Sequence, residues 1–206
     1  MAGRFITLEG GEGVGKSTQA HALLAALTAR GIDCIVTREP GGTAGAEAIR
    51  ALLLGGDDDR WSARAEALLF AAARTDHVDK LIRPALAGGR WVLCDRFIDS
   101  SLAYQGGAGE LGIDAVRAIN AFGVGDCLPD RTLVLELDGG SARALERDGD
   151  RSDRIGGRAA DYHQAVSAAF QEIAAAEPER VRLVDAAGTP ETVTQRLLEA
   201  LADLLP

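Results

Sequence analysis

Residues 10–17, GGEGVGKS, match the pattern G-x-x-x-x-G-K-[ST], and Thr18 follows them. Glycines let successive backbone N–H groups turn inward around an anion, and the dipole of a helix that begins there adds positive potential. Lys16 is expected to reach the β- and γ-phosphates of a nucleoside triphosphate, while the Ser17 hydroxyl ligates the Mg²⁺ that bridges them. A glycine-rich turn without a ligand is the competing interpretation. The predicted triphosphate contacts are Gly10, Gly11, Glu12, Gly13, Val14, Gly15, Lys16, Ser17 and Thr18.

A carboxylate and a guanidinium stand side by side farther along the chain. Asp95 ends the apolar segment WVLCD at 91–95, and Arg96 comes directly after it. Because the carboxyl ends of parallel strands present side chains to a ligand crevice, Asp95 is placed to hold Mg²⁺ directly or through water. Arg96 is suited to clamp a second phosphate. A structural ion pair between the two is the alternative.

Two further clusters indicate a second substrate. Arg38 and Glu39 directly follow a short strand-like segment, and Pro-Gly-Gly at 40–42 imposes a fixed turn that holds them at the strand edge. Phe70 and Arg74 lie four residues apart, so they share one face of a helix. A ring beside a guanidinium can stack on a flat base and hydrogen-bond its edge. A turn without function, and a core phenylalanine beside a surface arginine, are the structural alternatives.

The elements that must position these residues alternate along the chain. Short apolar runs predict strands, and longer stretches between them predict helices, which implies crossover connections and a parallel sheet. The predicted fold class is α/β, a three-layer P-loop NTPase fold with a five-stranded parallel sheet flanked by helices. The predicted strands are 4–9, 32–37, 91–95, 131–138 and 181–185, and the predicted helices are about 17–30, 44–54, 62–87, 112–122, 140–148, 159–177 and 190–205.

Length and composition limit the classes of protein that remain. The chain has 206 residues, 47% hydrophobic and 26% charged, which is typical of one globular domain over residues 1–206. Its longest apolar run, 67–73, is too short to span a bilayer, and the first residues lack a leader pattern, so we expect no membrane partner and a cytoplasmic location. A net charge of −9 argues against nucleic-acid binding. Three widely spaced cysteines indicate neither a disulfide framework nor a zinc site.

Two longer segments resemble one enzyme family. Residues 93–105, LCDRFIDSSLAYQ, are similar to the signature of the thymidylate kinases, and TREPGGT at 37–43 is another hallmark of that family. The resemblance covers essentially the whole chain. It implies transfer of the γ-phosphoryl group of ATP to dTMP, giving dTDP and ADP with Mg²⁺ as cofactor, and it implies a homodimer.

The same resemblance implies roles for individual residues. Phe70 would stack on thymine, Arg74 would hydrogen-bond its edge, and Arg96 would hold the acceptor phosphate. Tyr104 would close on the sugar where a ribose 2′-hydroxyl would sit, which favours deoxyribose. The remaining acceptor-side residues are Glu9, near the sugar and the magnesium shell, Ser101 and Gln105, which line the base pocket, and Arg38 and Pro40 of the TREPGGT segment.

Gly13 stands where some family members carry an arginine in the phosphate loop. The chain is therefore similar to the bacterial type, in which a mobile lid supplies that charge. A lid at about 143–158 contains arginines spaced four, four, three and four residues apart, and Arg151 and Arg154 are the expected catalytic pair. Interleaved acidic residues leave a solvated, salt-bridged helix as the alternative. The lid arginines are Arg143, Arg147, Arg151, Arg154 and Arg158.

Two rival functions remain open at this point. Another nucleotide kinase on the same scaffold would prefer a different acceptor. A nucleotide-gated binding protein would hydrolyse ATP slowly and form no phosphorylated small product. A guanine-specific switch protein is disfavoured, because the sole asparagine, Asn120, is followed by alanine and no N-K-x-D motif exists.

Overall fold

The computed structural model of the chain describes residues 2–57, 60–137 and 160–206. Within these ranges strands alternate with helices. None of the described helices combines the length and apolarity needed to cross a membrane. The strands are β1 (Phe5–Gly10), β2 (Cys34–Arg38), β3 (Trp91–Asp95), β4 (Arg131–Glu136) and β5 (Val181–Asp185). The helices are α1 (Lys16–Thr28), α2 (Ala44–Leu54), α3 (Ala63–His77), α4 (Arg83–Ala87), α5 (Ile98–Ser101), α6 (Ile113–Val124), α7 (Ala160–Ala176) and α8 (Pro190–Ala200), with π-helical turns at Val78–Ile82 and Leu102–Ala108.

The described strands form one sheet in the order β2-β3-β1-β4-β5, and every neighbouring pair is parallel. The predicted five-stranded parallel sheet is confirmed. Asp95 pairs in register with Arg38 of β2 on one side and with Leu8 of β1 on the other. The ends of three adjacent strands therefore deliver the glycine loop, Asp95 with Arg96, and Arg38 with Glu39 to the same edge of the sheet.

Helices cover both faces of the sheet, which explains why its strands are apolar on both sides. In β1, Phe5 faces one core cluster while Ile6 and Leu8 face the other, as the two-residue period of a strand requires. The first cluster packs against residues of α7 such as Phe170, and the second against α1 and α8. The sheet is thus the middle of three layers.

The structure differs from the predicted elements in several places, and the last helix, predicted at about 190–205, ends at Ala200. The single helix expected at 62–87 is interrupted by the π-helical turn Val78–Ile82. No element was predicted for 98–108, which forms α5 and a second π-helical turn; serines and paired glycines there have weak helix propensity. The helix predicted at 140–148 lies outside the described residues.

A buried polar network fixes α5 against the sheet. Asp99 is fully buried, and its two carboxylate oxygens accept bonds of 2.7 and 2.8 Å from the guanidinium of Arg180, which directly precedes β5. The Thr132 hydroxyl of β4 donates to the same carboxylate at 2.9 Å and lies 2.8 Å from the Thr7 hydroxyl of β1. This network ties the start of the 98–108 segment, and hence Ser101 and the residues after it, to the central strands.

We predict that Arg180→Met lowers the free energy of unfolding by about 3 kcal/mol, because it leaves the Asp99 carboxylate buried without its cation. Urea denaturation measures the change. Arg117→Met is the matched control, since Arg117 contacts the same Glu177 as Arg180 but at an exposed position, and its loss is expected to stay within about 0.5 kcal/mol. Equal effects of the two substitutions would contradict a stabilising role for the buried pair.

Candidate active site

The loop between β1 and α1 has the backbone geometry that its glycines allow. Gly10 has φ of 129°, and a Cβ there would lie 2.4 Å from the carbonyl oxygen of Leu135 in β4. Gly15, the residue before α1, has φ of 92°, in the left-handed region that favours glycine. Side chains at these two positions would block the close approach or strain the turn, so the predicted anion-binding loop has a physical basis.

Lys16 opens α1 and folds back over this loop. Its Nζ donates a hydrogen bond of 2.5 Å to the carbonyl oxygen of Gly11, and the residue is 7% exposed. Burial, and next the positive charge of Arg96, lower the pKa of Lys16 to about 8, against the opposing pull of nearby carboxylates. A buried ammonium next to a second cation, Arg96, is well suited to gain from an incoming phosphate, because the phosphate adds negative charge beside both.

Two side chains whose oxygen atoms could ligate a metal ion meet beside Lys16. The Ser17 hydroxyl donates to Oδ2 of Asp95 at 2.5 Å, across the gap between α1 and the end of β3. A hydroxyl and a carboxylate are the hard oxygen ligands that Mg²⁺ takes together with phosphates and water. The pair predicted for the metal is thus brought together, and its donor set fits that ion.

A cavity of about 520 Å³ opens at this edge of the sheet. One side of it is the glycine loop with Lys16, Ser17 and Thr18, and the other side is formed by α3 and the 98–108 segment. The predicted phosphate-binding and base-binding residues therefore border the same space. Its lining includes Glu12, Gly13, Gly15, Lys16, Ser17, Thr18, Arg38, Glu39, Pro40, Arg50, Leu54, Phe70, Arg74, Asp95, Arg96, Ser100, Ser101, Tyr104 and Gln105.

Arg96 links the two sides of the cavity. Its Nη2 donates to Glu12 Oε1 at 2.6 Å, and its Nη1 donates to the carbonyl oxygen of Gly10 at 3.1 Å and to Ser100 Oγ at 3.2 Å. The guanidinium carbon lies 5.0 Å from the centre of the Tyr104 ring. Burial would lower the pKa of Arg96, but Tyr104 and the surrounding carboxylates raise it above its ordinary value. Arg96 therefore remains a cation between the loop and the acceptor side.

Arg74 lies 2% exposed on the opposite wall, in a dense set of acceptors. Its Nε donates to Glu39 Oε2 at 2.7 Å and its Nη2 to the carbonyl oxygen of Phe97 at 2.9 Å. Nη1 donates to Ser101 Oγ at 3.0 Å and to Asn120 Oδ1 at 2.5 Å. A guanidinium has five N–H groups, so four have partners among the described residues and one, on Nη2, is left for a ligand.

The rest of the predicted acceptor side is also brought to the cavity. Phe70 lies one helical turn before Arg74 and is partly buried, and Pro40 lines the space as well. Gln105 is held by its Nε2, which donates to Glu66 Oε1 at 3.1 Å. Arg38 pairs with Glu47 at 3.0 Å at the exposed rim.

Comparisons with known proteins agree on one family. A family model described as Thymidylate kinase matches residues 8–197. A thymidylate kinase of Rhizorhabdus wittichii is 62% identical over 208 residues, covering 100% of both chains, and one of Rhodopseudomonas palustris (strain TIE-1) is 50% identical, covering 98% of this chain and 89% of the relative. The crystal structure of thymidylate kinase from Ehrlichia chaffeensis has a TM-score of 0.82 and 29% identity, over 98% of this chain and 100% of its own.

The chain belongs to the thymidylate kinase family. The family and activity implied by the sequence resemblance are confirmed: the protein is a nucleoside monophosphate kinase, an ATP:dTMP phosphotransferase. The nucleotide-gated binding protein is therefore set aside. The individual site residues stay predictions, supported or corrected by the geometry.

Among the predicted site residues that the structure describes, Gly10, Gly11 and Val14 do not line the cavity, and neither does Glu9. It is 0% exposed, and its carboxylate accepts bonds from the Phe97 N–H at 2.7 Å and from Ser100 Oγ at 2.5 Å. Both oxygens thus support the backbone after Arg96, and no direct contact with sugar or metal follows from this position. Burial, and next the charge of Asp99, raise the pKa of Glu9 to about 7.

Sequence reasoning missed three parts of the kinase site. Glu12 was predicted only as a loop contact for the triphosphate, but it turns toward the acceptor side, where it pairs with Arg96 and accepts a bond of 3.3 Å from Tyr104. Burial opposes its ionisation, yet Arg96 and Lys16 hold the pKa of Glu12 below its ordinary value. Asn120, which entered only as evidence against a GTPase, is an acceptor for Arg74, and no local pattern marks it.

The third missed feature is the buried group Glu39, His77 and Cys94, whose potential ligand atoms lie within 4.8 Å of one another. Such a set resembles a metal site, but Glu39 already accepts from Arg74 and lies 2.9 Å from His77 Nδ1. The charge of Arg74 fills the place that a cation would take.

The predicted lid residues, Arg143, Arg147, Arg151, Arg154 and Arg158, lie outside the described residues.

We predict a pH-dependent difference between this kinase and its Glu9→Gln variant. Between pH 4.5 and 7 the folded protein binds more protons than the unfolded chain, because the pKa of Glu9 is raised from 4.5 to about 7. The stability from protonated Glu9 is complete below pH 4.5 and is lost as the pH rises through 7, by up to about 3 kcal/mol. Glutamine keeps the shape and does not ionise. Urea unfolding of both proteins across this range checks the sign, and parallel stability curves would contradict it.

Proposed function

We propose that this kinase holds ATP on the loop 10–18 and dTMP between Phe70, Arg74 and Arg96, so that the two nucleotides meet end to end. The observation that carries the proposal is that Arg96 contacts the loop through Gly10 and Glu12 while lining the acceptor side of the same cavity. An acceptor phosphate bound to Arg96 would lie next to the γ-phosphate that Lys16 reaches.

Recognition of thymine is supported by the one N–H group of Arg74 that has no partner among the described residues. Its remaining N–H fits a carbonyl oxygen on the base edge, such as O4 of thymine, whereas the amino group of cytosine presents a hydrogen at that position. Phe70 offers a flat apolar surface for the ring. Ser101 and Gln105 supply further polar atoms in the base pocket.

Preference for deoxyribose is supported by the tight packing around Tyr104. The residue is 4% exposed, and its hydroxyl is engaged with Glu12 at 3.3 Å. An added 2′-hydroxyl would have to fit against this buried ring and displace it or its partner. Glu12 also places a carboxylate acceptor where a sugar hydroxyl can donate.

The chemistry requires alignment and charge neutralisation rather than a general base, because the nucleophile is already a phosphate oxygen. Lys16 neutralises charge on the β- and γ-phosphates, and Arg96 holds the attacking phosphate in line. Ser17 and Asp95 would hold the Mg²⁺ that we propose as cofactor, and the bound ion would neutralise charge on the phosphates. The glycine loop supplies backbone N–H groups to the same oxygens.

We predict that dTMP is the preferred acceptor over dUMP, dCMP, AMP and thymidine. A coupled assay of ADP formation with each acceptor measures kcat/KM, and dCMP is expected to fall at least tenfold below dTMP, because its amino group meets the donor of Arg74. ATP alone is the control, and its hydrolysis should be far slower than transfer, since water must be kept from the γ-phosphate. Equal ADP formation with and without acceptor would contradict the proposed arrangement.

We also propose that residues 143–158 form a lid on this single domain and bring arginines to the transferring phosphoryl group. The support is the family resemblance and the absence of an arginine at Gly13 of the loop. Arg154 is the first candidate and Arg151 the second.

Arg154→Ala is expected to lower kcat by about 10³-fold or more while the KM for ATP changes little, because such an arginine acts on charge that develops in the transition state. Steady-state kinetics separate the two parameters. Arg143→Ala, which removes the arginine of this segment that is farthest from Arg154 in sequence on the N-terminal side, is the matched control. An unchanged kcat for Arg154→Ala would transfer the role to Arg151 or Arg147.

We also propose that the protein is a homodimer and that it is located in the cytoplasm. Two large apolar side chains on adjacent helices are exposed, Leu68 of α3 at 57% and Phe122 of α6 at 95%, which suits a self-association face. Light scattering should give about twice the chain mass of 21.5 kDa, and Phe122→Glu should reduce it. Leu183→Glu, on the edge strand β5, is the control and should leave the mass unchanged. A monomeric parent protein would contradict the dimer.

A further inference from the structure

His77, the last residue of α3, is fully buried behind the wall of the cavity and does not line it. Its Nδ1 lies 2.9 Å from Glu39 Oε1, and its Nε2 lies 2.7 Å from the hydroxyl of Thr37. Glu39 in turn binds Arg74 through its other oxygen, Oε2. A continuous chain of hydrogen bonds thus leads from Thr37 through His77 and Glu39 to the guanidinium.

If the imidazole ring of His77 is neutral, the donors and acceptors in this series of hydrogen bonds can be assigned in one way only. The carboxylate of Glu39 is an acceptor only, so Nδ1 of His77 carries the hydrogen and donates it. Nε2 then accepts from the Thr37 hydroxyl. In this arrangement the charges of Glu39 and Arg74 compensate each other, and the imidazole ring contributes no further charge.

Glu39 contacts Arg74 through one N–H only, although a carboxylate and a guanidinium favour a bidentate pair with two. His77 binds Oε1, the oxygen through which a second bond to the guanidinium would be made. Nη2 of Arg74 binds the carbonyl oxygen of Phe97 with one hydrogen and keeps the other. That hydrogen is the one proposed above to read the acceptor base.

We propose that His77 is a positioning residue for acceptor recognition: by occupying Oε1 of Glu39, it keeps that carboxylate monodentate and reserves the last N–H of Arg74 for the nucleotide base. Without the Nδ1 donor, Glu39 is free to take a second N–H of the guanidinium. The base would then face a fully engaged Arg74. This inference rests on the proposed role of Arg74 in binding thymine.

Two substitutions of His77 distinguish the contact that Nδ1 makes with Glu39 from the contact that Nε2 makes with Thr37. In His77→Asn the side-chain amide stands near the position of Nδ1 and can still donate to Glu39. In His77→Gln the amide reaches toward Thr37 instead, and the donor to Glu39 is lost. We expect His77→Gln to raise the KM for dTMP about tenfold with the KM for ATP and the kcat little changed, whereas His77→Asn stays within about twofold of the parent.

The ratio of kcat/KM for dTMP over dCMP is the readout that a merely structural role would not move selectively. It should fall in His77→Gln and be retained in His77→Asn. Thermal unfolding of both variants is measured in parallel. Equal loss of dTMP affinity in both variants, accompanied by equal loss of thermal stability, would overturn the proposal, and so would an unchanged KM for dTMP in His77→Gln.

Arg74→Lys tests whether the effect passes through Arg74. Lysine keeps the buried charge opposite Glu39 but lacks the planar fork. If Arg74→Lys raises the KM for dTMP and His77→Gln adds nothing in that background, the two residues act as one unit. If the effects of His77→Gln and Arg74→Lys on the KM for dTMP are additive, the positioning role of His77 is overturned, but the role of Arg74 in base recognition is not. An unchanged KM in Arg74→Lys would instead overturn the role of Arg74 in base recognition, and the inference with it.

Discussion

Bringing two nucleotides together places two sets of negative phosphates in one cavity, and their repulsion is the constraint that this fold must overcome. The positive charges that answer it come from different parts of the chain, Lys16 from the start of α1 and Arg96 from the end of β3. Both are largely buried, so their charges are weakly screened. Glu12 forms an ion pair with Arg96 at 2.6 Å, which reduces the repulsion between these two cations.

The parallel order of the strands makes this concentration of charge possible. Arg38 of β2 pairs in register with Asp95 of β3, and Asp95 pairs with Leu8 of β1. Arg38 and Asp95 are 57 positions apart in the chain, yet they lie side by side at the same edge of the sheet. The buried pair of Asp99 and Arg180 then holds the segment after Arg96 against β4 and β5. The residues of α5 and the following turn that we propose as substrate contacts are therefore anchored to the sheet rather than carried on a free loop.

Local sequence patterns predicted the fold well, and they also place the predicted donor-side residues close together. The glycine loop, Lys16 and Ser17 form one continuous segment, and α2 and β5 have the predicted bounds because clear turn residues flank them. The acceptor side depends on contacts between distant residues, such as Arg74 with Asn120, and spacing along the chain contains no signal for those. The resemblance placed Glu9 near the sugar and the metal, and spacing along the chain gave no sign that its carboxylate binds the Phe97 N–H, between β3 and α5, and the Ser100 hydroxyl of α5.

Arg96 has a backbone φ of 69°, which places a residue with a long side chain in a conformation that glycine or asparagine adopts more easily. Its N–H remains bonded to the carbonyl oxygen of Leu8, so the left-handed conformation begins while the residue is still attached to β1. Residues with an easier backbone lack the guanidinium, and Lys lacks the planar fork. The folded chain thus accepts a locally unfavourable backbone at a position that is bonded to a neighbouring strand and also lines the cavity, so both the backbone and the side chain of Arg96 limit which substitutions can be tolerated there.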